Sequence, residues 1–377
     1  VSGPGIPDSA RADFDAFLAG AHQDAAAELA TGLVAGGVSA EEVLLGLVAP
    51  AQVKVGERWA SGTWTVAREH AATLVSMRTV DAVAAAARAR ADAAATADAD
   101  ATATATATAE EAGGPAASAP RGDVLVACSD GEWHVLPSHI LAEVLRLRGF
   151  RVRSLGGHVS PQGLLSDVHQ NGPDVVALSC TLSENLPRAH RQIETCRSAG
   201  VPVMTGGAGF GPDGAWGYAL GADLYAADAR EAARALLEDW PPELRGESSV
   251  EAGAVEAYAT LVRRRPALLE DVARACPEVV AGLRGRTGDD LDEGEEFLGR
   301  LLNCLAAAVF IGDARVFTGQ LDFAARYLTA RSVDAGCLGA VADALAERLR
   351  GSPRAVAMAT AGGRWLGARE HGPRRPR

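Results

Sequence analysis

The residues of this chain best suited to hold a metal are Glu132-Trp133-His134, a histidine two positions after a carboxylate. One ring nitrogen of such a histidine faces a metal while the acid takes the proton of the other and fixes the ring. Two groups of hydroxyls and bare backbone follow, Ser179-Cys180-Thr181 and Gly206-Gly207. Six cysteines, Cys128, Cys180, Cys196, Cys276, Cys304 and Cys337, are scattered without a CxxC pair and read as reduced thiols of a cytoplasmic protein.

These residues meet only if elements far apart in sequence are brought to one edge. From Asp123, short apolar runs alternate with helix-length stretches: Val124 to Cys128, Val152 to Leu155, Val175 to Ser179, Val201 to Met204 and Asp223 to Ala226. The alternation predicts βαβ units and a doubly wound parallel sheet of the flavodoxin-like, Rossmann type over 122–242. Ligands of that fold sit beyond the carboxyl ends of the strands, where His134, Ser179, Thr181, Gly206 and Gly207 would stand.

Upstream, residues 1–92 carry apolar residues at helical spacing, Phe14, Leu18, Ala21, Ala25 and Leu29 among them, with a capping box at Ser39 and Glu42. They predict a helical bundle. Residues 93–121 are Ala, Thr and Asp followed by Gly, Pro and Ser, too poor in bulky apolar groups to offset the entropy of ordering, and read as a linker. Helical periodicity returns over 243–350 as an all-α domain, and 351–377 reads as a poorly ordered tail.

Lys and Arg number 36 against 48 Asp and Glu, so the chain is not built to hold phosphate backbones and no nucleic-acid partner is expected. No apolar stretch is long enough to predict a membrane partner. Hydrophobic residues are 48% of the chain but aromatics only 5%, an Ala, Val and Leu content that suits packed helices and parallel strands.

The pattern Glu132-x-His134, Ser179-x-Thr181 and Gly206-Gly207 resembles the cobalamin-binding domain family, in which the histidine replaces the cofactor's own base on cobalt. Glu132 stands where many members have Asp, and Pro137 replaces a glycine. Trp59 with Glu69-His70 resembles the Trp-x9-Glu-His signature of cobalamin photoreceptors, whose helical bundle encloses an adenosyl group, and Trp133 also fits that branch. An indole is a flat apolar wall for adenosine, and a carboxylate accepts hydrogen bonds from ribose. Ala60 occupies the position of a histidine that some photoreceptors have after the tryptophan.

The order of bundle, cobalamin domain and C-terminal helices resembles the photocobilins. That resemblance implies a globin-like last domain binding biliverdin, for which Arg315, Asp322, Phe323, Tyr327 and Arg331 are chemically suited. The absence of histidine between His190 and His371 argues against haem there. The resemblance thus implies a light sensor and not an enzyme. It would hold adenosylcobalamin on His134, with Trp59, Glu69 and His70 above, and light would change its domain arrangement and its homo-oligomeric state. The alternative is a corrinoid methyl carrier of a methyltransferase system, which uses a similar bundle and sheet.

Overall fold

The computed structural model describes residues 5–105, 120–283 and 293–371. The first helical unit contains α1 (Asp8–Gly20), α2 (Gln23–Ala35), α3 (Ala40–Val43), α4 (Ala49–Ala60) and α5 (Val66–Ala105), with a π-helical stretch Leu44–Val48 joining α3 to α4. Ala21 takes a left-handed conformation and splits the expected first helix in two, so the buried stripe of α2 is Ala26, Ala30 and Val34 and not Ala25 and Leu29. The Ser39 hydroxyl accepts from the Glu42 N–H at 3.1 Å, as the capping box requires.

Helix α5 continues to Ala105, well into the stretch read as a linker. Alanine is the strongest helix former, so the stretch is helical although it lacks bulky apolar groups. The rest of that reading, 106–119, lies outside the described residues.

The sheet unit comprises β1 (Asp123–Cys128), α6 (Leu136–Leu147), β2 (Arg151–Ser154), α7 (Pro161–Asn171), β3 (Val175–Ser179), α8 (Leu186–Ser198), β4 (Val203–Gly206), α9 (Ala215–Ala219), β5 (Leu224–Ala226) and α10 (Ala229–Glu238). Its five parallel strands lie in the order β2-β1-β3-β4-β5. The order reverses direction between β1 and β3, and the crevice above their carboxyl ends is the ligand position of this topology.

Side-chain parity divides the sheet between two cores. Val124, Val126, Val175, Ala177 and Met204 join the core shared with the first helical unit, while Leu125, Ala127, Val176, Leu178 and Val203 join the core that runs through α7 and α8. That second core is continuous with a third unit of α11 (Ala252–Ala275), α12 (Pro277–Leu283), α13 (Glu293–Ile311), α14 (Arg315–Ala330), α15 (Cys337–Arg348) and α16 (Pro353–His371). The expected tail is therefore mostly helix: Ala355 and Ala359 are fully buried, and small side chains let α16 pack closely on α15.

Cys276 and Cys337, separated by 61 positions, form a disulfide with Cα atoms 5.4 Å apart, which corrects the expectation of six free thiols. The other four cysteines are free and buried. No helix among the described residues is long and apolar enough to cross a membrane.

The Trp216 indole N–H donates to the Asp313 carboxylate at 3.0 Å and so ties the sheet unit to the third unit. Burial pushes the Asp313 carboxyl up, but its bonds from Arg315 and Trp216 outweigh this and hold it below the usual carboxylate range. A depressed folded value means that the stabilising contribution is complete above the unfolded pKa, about 3.9, and is lost as pH falls through the folded value. Asp313→Asn is expected to flatten the acid limb of the stability curve below about pH 4, read by Trp fluorescence; an unchanged limb would refute the assignment.

Candidate functional site

Glu132 and His134 lie in the loop between β1 and α6, at the carboxyl edge of the sheet. The Glu132 side chain is fully buried, and both of its oxygens are used. Oε1 accepts from His134 Nδ1 at 2.5 Å and from the His134 backbone N–H at 3.0 Å; Oε2 accepts from the N–H groups of Thr181 at 2.8 Å and Leu182 at 3.0 Å. One carboxylate thus joins the loop after β1 to the loop after β3.

Burial would raise the Glu132 pKa, but these bonds, led by His134, lower it to about 2, and the carboxylate in turn raises that of His134. The His134 side chain is 53% exposed. With Nδ1–H given to Glu132, the lone pair left on the ring is that of Nε2, the donor set of a metal-ligating histidine with an outer carboxylate. Trp133 beside it is 71% exposed, its indole stacked on His158 with centroids 5.1 Å apart and planes at 7°. A half-exposed imidazole with one committed nitrogen, next to a bare indole face, fits a corrinoid bound by its cobalt and its flat ring.

Other expected positions have packing roles as well. Ser179 is buried, and its carbonyl accepts from the Ser129 N–H at 2.9 Å. Pro137 stands in the first turn of α6, where an N–H has no intrahelical acceptor, so it deprives the helix of nothing. Gly207 has φ +102°, and a Cβ there would lie 2.4 Å from the Cys180 carbonyl oxygen; at Gly206 the nearest atom would be the Ala226 carbonyl at 3.1 Å. These glycines let the loops after β3, β4 and β5 close on one another. Gly207→Ala is expected to cost ~1–3 kcal/mol from backbone strain alone, measured by urea unfolding; unchanged stability would contradict the close approach.

Glu69 at the start of α5 accepts from the Thr73 hydroxyl at 2.8 Å, which in turn accepts from Gln52 at 2.6 Å, and Ser76 donates to Gln52 at 3.0 Å. His70 is mostly exposed, with Nδ1 2.8 Å from the Val66 carbonyl and 2.9 Å from Glu69. Smaller contributions to the His134 shift come from the charges of Glu69, which raises it, and Arg300 in α13, which lowers it. Sequence reading missed Gln52, Thr73 and Arg300. It also missed Gln192, which is fully buried, accepts from Asp130 N–H at 2.8 Å and donates to the Val159 carbonyl at 2.8 Å, pinning two loops of this edge. Gln52 and Thr73 carry a signal only in retrospect, Thr73 standing four residues after Glu69 on the same helical face.

The residues expected to surround biliverdin do not form one pocket. Arg315 is exposed and bonded to Asp313, and Asp322 pairs with Arg326 and Arg369. Phe323, Tyr327 and Arg331 lie on another face of α14, turned onto Trp59 at the end of α4.

Residues 122–237 match one B12 binding domain family and residues 14–84 match a second. Trimethylamine corrinoid protein 2 of Methanosarcina mazei is 30% identical over 115 residues, which are 29% of this chain and 52% of that protein. Dimethylamine corrinoid protein 3 of the same organism is 30% identical over 121 residues, 31% of this chain and 71% of that protein. The chain therefore spans about half the length of the trimethylamine relative. The structure of the Methanosarcina barkeri monomethylamine corrinoid protein aligns with a TM-score of 0.47 at 16% identity, over 62% of this chain and 99% of that one. Relatives named for methylamines overturn the expected light sensor, and its light-dependent assembly with it, in favour of the carrier alternative. The two matched domains and the share of the dimethylamine relative that is covered show that this chain belongs to the B12-binding corrinoid proteins.

Proposed function

We propose that this chain is a corrinoid methyl carrier of a methyltransferase system: a protein that holds the cofactor and presents it to separate enzymes, without turnover of its own. When bound, a corrinoid supplies a cobalt centre whose upper face takes up and gives up a methyl group. His134 Nε2 would hold the metal. Glu132 keeps the Nδ1 proton and the ring plane fixed, and Ser179, Thr181, Gly206 and Gly207 line the strand ends beside it. Trp59, Glu69 and His70 of the first helical unit would face the other side of the cofactor, and Trp133 would offer a flat apolar contact to its ring.

The observation that carries this reading is the half-exposed His134 imidazole whose Nδ1 is committed to a buried carboxylate. The names of the relatives support methyl transfer as its use and methylated amines as the ultimate methyl source. The chain, loaded with hydroxocobalamin, reduced anaerobically and treated with radiolabelled methyl iodide, should keep the label through gel filtration. It should then release the label to a low-molecular-weight thiol when a corrinoid:thiol methyltransferase is added. Corrinoid lost on the column, or label that no added enzyme withdraws, would overturn the reading.

A further inference from the structure

The third helical unit packs both on the end of α4 and on the loop after β3. Phe323 and Tyr327 of α14 and Arg331, which caps its end, recur every four residues and so share one face. The Phe323 ring stacks on the Trp59 indole with centroids 6.1 Å apart and planes at 25°, Tyr327 lies 5.6 Å from the same indole, and Phe297 of α13 stacks on Tyr327 at 5.4 Å.

Arg331 is 8% exposed and makes this contact polar as well as aromatic. It donates to the Trp59 carbonyl at 2.9 Å and the Ala60 carbonyl at 3.0 Å, both in the last turn of α4, where helix carbonyls have no intrahelical donors and the dipole favours a cation. Its guanidinium lies 3.5 Å from the centre of the Tyr327 ring. Six residues further along α13 from Phe297, Asn303 donates to Glu184 at 2.9 Å, on the loop after β3, and accepts from Arg265 at 3.0 Å.

We propose that the third helical unit is the upper wall of the corrin cleft, and that Phe297, Phe323, Tyr327 and Arg331 determine what reaches the cobalt from above. This rests on the carrier reading. A methyl-donating enzyme would approach the face opposite His134; α14 packs on the end of α4, and α13 meets the loop after β3 that Glu132 also holds. A reagent the size of azide passes with the wall in place, whereas one as large as a tripeptide, and still more a protein donor, requires Arg331 to leave the α4 carbonyls.

The test uses the full chain loaded with aquocobalamin and follows replacement of the bound water by azide and by glutathione in a stopped-flow spectrometer. Arg331→Ala and the milder Arg331→Lys should speed glutathione entry at least fivefold while changing azide entry less than twofold. Amide exchange of the corrinoid-free protein should also rise over residues 57–64 in both variants. Glutathione rates equal to wild type, or unchanged exchange at the end of α4, overturn the wall. Failure of the wild-type chain to retain aquocobalamin would refute the carrier reading instead, and the exchange measurement would still decide whether Arg331 holds the two units together.

Discussion

His134→Ala is expected to abolish the nitrogen hyperfine signature that a protein imidazole gives to bound cob(II)alamin, and to weaken corrinoid uptake by more than the ~10–100-fold that loss of an outer partner costs a metal site. The ring is half-exposed, so its removal leaves no large void, but it takes one partner from the buried Glu132 carboxylate, and the urea midpoint of the apoprotein should fall by less than in Glu132→Ala, since the Thr181 and Leu182 N–H groups still hold that carboxylate. The result is interpretable because uptake should fall far more than the fold does. Labelling histidine with 15N in the wild-type chain should change the splitting, and an unaltered spectrum in the variant would remove His134 as the cobalt ligand.

Glu132→Ala should damage both properties. Four hydrogen bonds converge on a carboxylate with no solvent contact, and its loss strands the Thr181 and Leu182 N–H groups and frees the imidazole to rotate. Breaking a buried charged contact from one side costs ~3–5 kcal/mol, and loss of an orienting carboxylate weakens metal binding ~10–100-fold. Glu132→Gln should fall between, since an amide keeps one acceptor but turns an NH2 group towards existing donors. Glu132→Asp, with the carboxylate retained on a shorter stem, should restore more affinity than Gln. Urea unfolding and corrinoid titration measure the two effects, and a Gln variant equal to wild type in both would show that charge at this position is unimportant.

The sheet and its ligand edge were legible because both signals are local. Apolar runs of four or five residues between helix-length segments specify parallel strands, and the loop after the first strand must emerge at the carboxyl edge, so His134 and Ser179 could be placed near each other from sequence alone. The destination of α14 was not legible. Its periodicity shows that Phe323, Tyr327 and Arg331 share a face, but whether that face meets a pigment or another helix depends on the Trp59 and Ala60 carbonyls about 270 positions away.

The same limit hid the Cys276–Cys337 bond, whose separation of 61 carries no pairing information. Helix α16 was missed for a different reason. An Arg- and Pro-rich ending suggested a tail, while Ala355 and Ala359, too small to register as an apolar stripe, are fully buried.

The central strands deliver alternate side chains to two different neighbours, and neither side is spare. One inserted residue in β1 or β3 would exchange the destinations of every side chain beyond it within the strand, sending groups shaped for one flank to the other. Over evolutionary time, changes in length are therefore confined to the loops, and diversification of the strands is limited to substitutions that keep each position's partner.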